Sequence, residues 1–288
     1  MKFVTYNIQY GKGKDGRVDL GRSIDAIAGA DLIALQEVER LCPQRGNVDQ
    51  VQVIADGLRD YYWVYGAGVD VHVAGGTAAQ NARHQFGNML LSRQPILSAR
   101  HHLLPKRGST DALSIQRSTI EATVQCGARL LRVYSVHLTH LSSATRLPQV
   151  EALLSFHRNA VFEGAPISGD LRGFDWANGA SAGAQIVPDQ AIMLGDFNFQ
   201  PHSPEYDLLV GPVSDYGGRI ANPQGFVDAW CAAGHDFAGG FTSDVNGEPA
   251  RLDYCFVSNS LQHRVRDCYV DDNAIASDHF PLCTEIDL

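Results

Sequence analysis

An α/β (α+β) sandwich of mixed β-sheets with helices on the outside is the fold class this sequence predicts, on three observations. Short apolar runs of strand length end abruptly in polar residues, as in Leu32-Ile33-Ala34-Leu35-Gln36-Glu37 and Ala191-Ile192-Met193-Leu194-Gly195-Asp196. Segments with helical apolar spacing alternate with such runs. Hairpin-like pairs recur, which argues against a purely parallel sheet.

Taken in order, residues 2–9 read as a strand and 11–16 as a Gly/Lys-rich loop. Leu20, Ile24, Ile27 and Ala28 give 19–29 a helical face. Residues 31–38 form the next strand, and Pro43 and Gly46 close the loop after it. Val51, Ile54, Ala55 and Leu58 mark a second helix over 48–58. Strands at 61–65 and 87–91 flank a loop at 66–86. Residues 117–125 and 130–138 flank Cys126-Gly127-Ala128 as a hairpin, and 146–158 is helical in character. Residues 163–189 are rich in Gly, Ala and Ser and contain Pro166 and Pro188, so they read as a surface insertion or as a flap over a site. A strand at 190–196, a helix near 203–210, and strands at 252–257 and 282–286 complete the reading, with a turn-rich stretch up to Gly225. The polar clusters described next come from both halves, so one domain over residues 1–288 is expected.

With 44% hydrophobic residues the chain can build a sizeable core, and its formal net charge is −9. That balance argues against a general duplex-binding protein, whose affinity rests on clustered Lys and Arg. The densest positive charge, Arg83, Arg93, Arg100, Lys106, Arg107 and Arg117, is either a solvated stretch or a phosphate-facing rim. No secretory or membrane-spanning segment is expected, and a cytoplasmic location follows. Cys42, Cys126, Cys231, Cys255, Cys268 and Cys283 show no C-x-x-C pairing, so free thiols are expected rather than a zinc site.

Three strand-end clusters carry the chemistry: Gln36-Glu37, Gly195-Asp196-Phe197-Asn198 and Ser277-Asp278-His279. Hard oxygen donors with a histidine suit Mg²⁺, or Mn²⁺, and phosphoester cleavage. Asn7, at the end of the first strand, is either a turn residue or an amide facing a phosphate or a metal-bound carboxylate. Glu37 is either solvated or a metal ligand. Asp196 and Asn198 share one side if the backbone between them stays extended, so one can hold a water while the other contacts phosphate. His137 lies in the strand Val133-Tyr134-Ser135-Val136-His137, as a structural or a functional histidine, with His140 just past it. Asp253 can pair with Arg251 or orient a histidine. Asp278 and His279 reach one site only through a bend, which Ser277 and Pro281 permit. The chain holds no G-x-S-x-G, P-loop, G-x-G-x-x-G or H-E-x-x-H motif, which disfavours a serine hydrolase, NTPase, dinucleotide enzyme or zincin.

In this order the pieces Thr5-Tyr6-Asn7, Leu35-Gln36-Glu37-Val38, Ser135-Val136-His137-Leu138, Gly195-Asp196-Phe197-Asn198, Arg251-Leu252-Asp253-Tyr254 and Ser277-Asp278-His279 resemble the endonuclease/exonuclease/phosphatase superfamily. The resemblance runs from residue 5 to 279. It implies a four-layered α/β/β/α sandwich of two mixed β-sheets flanked by helices, and Mg²⁺-dependent phosphoester cleavage. It makes Glu37 the principal metal ligand, with Asn7 in support and Asp278 beside the metal. It gives Asp196 the water, Asn198 a phosphate contact, and His279, oriented by Asp253, the scissile phosphate. His137 would serve as the second histidine, on a phosphate oxygen or near the leaving group. Asn88, in a segment resembling the family's second-sheet strand, would either approach the phosphate or hold a sheet edge.

The branch is less sharply marked. Gln9 stands where AP endonuclease-like members usually carry Asp, and His137 resembles the deoxyribonuclease, sphingomyelinase and general phosphodiesterase branches. The Trp-Cys-Asp-Arg signature of inositol 5-phosphatases is absent at 251–254. The expected function is therefore a phosphodiesterase or phosphatase acting on a small or lipid-derived phosphoester. A DNA or RNA nuclease is the alternative, and it requires a basic stripe on the face bearing the site. A catalytically dead scaffold is the third reading, disfavoured because Glu37, Asp196 and His279 are all retained.

Overall fold

The structure, a computed structural model, describes residues 1–75, 77–175, 180 and 182–288. Among these, two six-stranded sheets dominate. The first runs β13 (Val265–Val270), β14 (Leu282–Ile286), β1 (Lys2–Asn7), β2 (Leu32–Arg40), β4 (Arg83–Ser92) and β3 (Tyr62–His72). The second runs β5 (Ile96–Leu103), β6 (Ser118–Cys126), β7 (Arg129–His137), β8 (Ala191–Asp196), β12 (Asp253–Ser258) and β9 (Phe226–Asp228). A separate two-stranded ribbon pairs β10 (Ser243–Val245) with β11 (Glu248–Ala250). Both large sheets are mixed: β1 pairs parallel with β2 and β7 parallel with β8, while the other pairings are antiparallel.

Each parallel pair needs a crossover, and helices supply it. The helix α1 (Leu20–Ile27) links β1 to β2, and α3 (Ser143–Glu163) lies between β7 and β8. The short helix α2 (Gln50–Gly57) joins α1, and α4 (Pro204–Val210) joins α3. Their starts are encoded locally. Asp19 caps Gly21 N–H, Asp49 caps Gln52 N–H, Ser142 and Thr145 form a capping box, and Ser203 precedes Pro204 at the first turn of α4.

Alternation along the strands sorts three cores. Phe3, Leu32, Ala34, Leu90, Val133, Leu194 and Cys255 fill the space between the sheets. Val4, Tyr6, Ile33, Leu35, Ile27 and Ile54 lie between the first sheet and α1 and α2. Tyr134, Met193, Tyr254, Phe256, Val150, Leu153 and Tyr206 lie between the second sheet and α3 and α4. Helix, sheet, sheet and helix therefore form four layers, the architecture expected from the sequence.

Several boundaries differ from expectation. Residues 66–86 are mostly the arms of a β3–β4 hairpin, not a loop; the connection is confined to residues 73–82. Gly66 and Gly68 disguise this strand. A Cβ on Gly68 would come within 2.4 Å of the Gln116 carbonyl oxygen, so the glycine marks close approach of the facing sheet rather than a turn. β5, β9, β13 and the β10–β11 ribbon carry weak alternation and lie at edges or outside the sheets, where one face is wet. Within the expected 163–189 insertion, α3 continues to Glu163 and a 3-10 turn forms at Ala182–Gln185. Residues 176–179 and 181 of that insertion, and residue 76 in the 66–86 segment, lie outside the described residues. No helix among the described residues is long and apolar enough to cross a membrane.

Candidate active site

The strand ladders themselves assemble the polar cluster. In β7–β8 His137 is in register with Asp196, and in β8–β12 Asp196 is in register with Asp253. Residues in register share a face, and Val133 and Leu194, an even number of positions back, face the inter-sheet core. His137, Asp196 and Asp253 thus form one row at the end of that core. Asn7 closes it from the first sheet, two positions beyond Thr5 on the same face of β1 as Phe3.

Asp196 is 1% exposed and accepts one hydrogen bond on each oxygen. Its Oδ2 accepts from Asn7 Nδ2 at 3.0 Å and its Oδ1 from the Asn198 backbone N–H at 2.9 Å. His137 Nε2 lies 3.4 Å and His279 Nε2 3.8 Å from Oδ2. Burial, reinforced by the neighbouring Asp253, raises the Asp196 carboxyl to about 7, against the opposing pull of His279, Asn7 and Arg117.

His279 Nδ1 meets Asp253 Oδ2 at 2.7 Å, and Thr242 Oγ1 accepts the Asp253 N–H at 3.1 Å. Burial alone would lower the imidazole, but Asp253 and Asp196 overturn it and raise His279 to about 10. It is an imidazolium at neutral pH, with Nδ1–H fixed on Asp253 and Nε2–H turned toward Asp196. His137 is the opposite case. Arg117 Nη1 stands 3.1 Å from its Nδ1, and a guanidinium can only donate, so Nδ1 accepts and the proton sits on Nε2. Burial, then Arg117, His279 and His140, hold His137 well below its ordinary value, and it is neutral.

Glu37 reaches the cluster through a break in the sheet. A bulge between Leu35 and Val38 interrupts the β2–β4 register, and Glu37 adopts φ 60°, a conformation non-glycine residues avoid. Unbroken alternation would have turned Glu37 to the helix side with Leu35. Burial raises its carboxyl, Asp278 adds to that, and Arg117, His279 and the Asn7 amide oppose it. Asp278 is exposed at the rim, where Gln9 Nε2 donates to its Oδ2 at 2.6 Å, and Gln9 N–H donates to Asn7 Oδ1 at 3.0 Å. Residues 276–279 form a bend, which places Asp278 and His279 in one locality as the sequence required.

Two expectations are corrected. The backbone from Asp196 to Asn198 is not extended: Asn198 has φ 53°, its N–H folds back onto Asp196, and its Nδ2 donates to the Leu138 carbonyl at 3.1 Å. It lines the cleft with one N–H left over, not as a strand neighbour of Asp196. Asn88 does not offer a donor to a phosphate. Its Nδ2 is committed to Ser118 O at 2.9 Å and Ser135 O at 3.2 Å on the facing sheet, so both its hydrogens tie the sheets together. Asp253 pairs with His279 and not with Arg251, whose partner is Asp228 at 3.1 Å.

Of the basic cluster at 83–117, Arg117 enters this region, and Lys106 and Arg107 are exposed beside Thr139 and Leu141 next to it. Arg83 pairs with Asp70, Arg93 donates to Tyr61 Oη and Arg100 pairs with Glu163. Arg117, Gln9 and Thr242 were not singled out from the sequence as site residues. Arg117 was read only as one member of the possible phosphate-facing rim. Alternation gave no sharper signal, because Ile120 and Ala122, which line the inter-sheet core, stand an odd number of positions from it. A cleft of about 540 Å³ opens over His279, Asp278 and Asn198, walled by His140, Arg146 and the β10–β11 ribbon.

The donor set fits a hard divalent cation. Glu37 is a buried-side carboxylate with no ion pair of its own among the described residues, and Asn7 and Asp278 add oxygens beside it. Asp196, Asp253 and His279 also bring one donor atom each within 4.8 Å of one another. There the 2.7 Å His279–Asp253 hydrogen bond already uses both partners, so the Glu37 side is the better seat.

These residues form one polar cluster at the end of the inter-sheet core of a four-layered sandwich. The chain belongs to the endonuclease/exonuclease/phosphatase family, whose model matches residues 4–279. Enzymes of those three kinds all hydrolyse phosphoester bonds, and the family depends on divalent metals, so phosphoester hydrolysis is the chain's general class. Solved structures share the fold at low identity. One is an endonuclease/exonuclease/phosphatase family protein from Leptotrichia buccalis, 19% identical with TM-score 0.66 and all of both chains covered. Another is a Bacteroides thetaiotaomicron mannosyl-6-phosphatase, 18% identical with TM-score 0.61, again over all of both chains. Truncated Caenorhabditis elegans TDP2 is 20% identical with TM-score 0.55, covering 99% of this chain and 97% of that one. No curated protein matches the sequence.

Proposed function

We propose that this protein is a Mg²⁺-dependent phosphodiesterase or phosphatase acting on a small phosphoester, by in-line attack of water. One observation carries the reading: a carboxylate, Asp196, sits between a charged histidine held by Asp253 and a neutral histidine held by Arg117. Glu37, with Asn7 and Asp278, would hold the cation, which when bound supplies positive charge to the phosphate oxygens.

Asp196 orients the attacking water and accepts its proton at a carboxylate oxygen; a carboxyl raised to about 7 is matched to that task at neutral pH. Asn7 and the Asn198 N–H fix the carboxylate in place. His279 directs Nε2–H at a non-bridging oxygen, where negative charge accumulates, and Asp253 keeps its tautomer and charge. His137 offers Nε2–H to a second oxygen or to the leaving group. The remaining N–H of the Asn198 amide completes the phosphate contacts.

A small substrate is supported by the surroundings. The net charge is −9, and two of the arginines that would make a nucleic-acid stripe, Arg83 and Arg100, are paired locally with Asp70 and Glu163. The fold likeness to a mannosyl-6-phosphatase is compatible with this reading. Hydrolysis of p-nitrophenyl phosphate, bis-p-nitrophenyl phosphate and a labelled abasic duplex, with Mg²⁺ or Mn²⁺, tests it. Cleavage of either small ester with the duplex intact supports the proposal and separates monoesterase from diesterase. Cleavage of the duplex alone would move the protein to the nuclease class.

A further inference from the structure

A second polar cleft lies at the opposite end of the second sheet. It encloses about 670 Å³ and is lined by Gln190, which precedes β8, and by Ser258, which ends β12. Asp196 and Asp253 stand at the other ends of the same strands, about 17 Å away at ~3.3 Å per residue. The cleft therefore shares no residue with the candidate active site.

Its floor is a buried arginine. Arg132 is 2% exposed, yet its Nε and Nη1 have no hydrogen-bond partner among the described residues. The nearest carboxylate, Glu121, makes only a long ion pair, its Oε1 4.0 Å from Nη1, while its Oε2 engages His102 at 2.8 Å. A guanidinium withdrawn from water with two unmet donors is a costly arrangement unless something accepts from it. His157 on α3 also lines the cleft, and its Nδ1 is likewise buried without a partner among the described residues. Arg158 adds a second positive charge at the mouth, against a single carboxylate, Asp189, in the lining. The far wall is made of carboxamides and backbone from Asn222 and Asn259.

We infer that this cleft is a binding site for a small organic oxyanion, a phosphate or sulfate head on a hydroxylated body. The head meets the Arg132 guanidinium at the floor and Arg158 at the mouth. Such charge-assisted bonds from a planar fork suit a tetrahedral oxyanion. The volume exceeds that of the head alone, and Gln190, Asn222 and Asn259 present the hydrogen-bonding groups that hydroxyls need.

Isothermal titration of the full chain with inorganic phosphate and with glucose 6-sulfate tests this, with glucose as the neutral control. A sulfate ester is not a substrate for phosphoester cleavage, and chelator in the cell keeps the metal side empty. The wild type is expected to bind both anions and not glucose. Arg132→Met is expected to weaken binding about tenfold or more, and Arg158→Glu by several-fold, while Asp196→Asn binds like the wild type. Hydrolysis of p-nitrophenyl phosphate with Mg²⁺ restored should be unchanged in Arg158→Glu. Should Arg132→Met not fold, Arg158→Glu carries the test. The inference is overturned if the wild type binds neither anion, if Arg158→Glu titrates like the wild type, or if Asp196→Asn removes the binding.

Discussion

The Asp253 carboxylate holds the His279 imidazole at 2.7 Å, and Thr242 in turn holds the Asp253 backbone. This chain of contacts fixes both the tautomer and the charge of a histidine that stands 26 residues after its partner in the sequence. Removing the carboxylate's charge while keeping its shape separates orientation from packing. Asp253→Asn is expected to lower kcat by about 10²- to 10⁴-fold with the fold intact by circular dichroism. His279→Ala should fall at least as far. Equal activity of Asp253→Asn and wild type would remove His279 from the proposed mechanism.

Glu37 combines a strained backbone with a proposed ligand role, and the two can be separated. Glu37→Gln should weaken Mg²⁺ and Mn²⁺ binding in a titration calorimeter by tenfold or more. Glu37→Gly should lose activity as completely, yet lose little stability or gain about 1 kcal/mol, because glycine accepts φ 60° without strain. Chelation should abolish hydrolysis in the wild type, with Mg²⁺ or Mn²⁺ restoring it.

Asn88 offers a test of structure against resemblance. With both N–H groups on the facing sheet, Asn88→Ala should cost about 1–3 kcal/mol in urea unfolding, leaving KM nearly unchanged. An unaltered stability with a large rise in KM would return it to the phosphate.

His157 sets a pH dependence of stability away from the candidate active site. Burial first, then Arg132 and Arg158, lowers its pKa from 6.5 to about 4. The unfolded chain therefore binds the proton first as pH falls. The stability this neutral imidazole contributes is complete above pH 6.5 and lost as pH drops through 4. Because the ring is partly exposed, the expected loss is about 1–3 kcal/mol. Urea melts at pH 7 and pH 4.5 in phosphate-free buffer should show that slope in the wild type and a shallower one in His157→Phe.

Much of this was legible in the sequence because period-2 alternation tells which face a strand residue occupies. Leu194 and Asp196 share a face, as do Val133 and His137, and the same rule put Asn7 with Phe3. Glu37 was legible as a strand-end carboxylate, but the bulge that turns it toward the cluster was not, since a bulge breaks the very pattern that is being read. Asn198 was misplaced for a related reason: a left-handed residue after Phe197 ends the extended geometry that the spacing assumed. Edge strands such as β5 and β13 escaped because only one face of each is dry. Arg132 and the cleft around it gave no signal, because a buried arginine inside an apolar strand looks like any solvated one until its neighbours are known.

His137, Asp196 and Asp253 stand on one rung of a hydrogen-bonded ladder, so their spacing is inherited from peptide geometry and not from loops. Outside the ladder, Thr242 braces that rung by accepting the Asp253 N–H, and its own N–H is held by Ala250 of the β10–β11 ribbon. A shift of either ladder by one residue would point a donor or an acceptor out of the cluster. The His137–Asp196–Asp253 row is thus a property of strand register, while Glu37 joins it through a bulge and His279 through a bend.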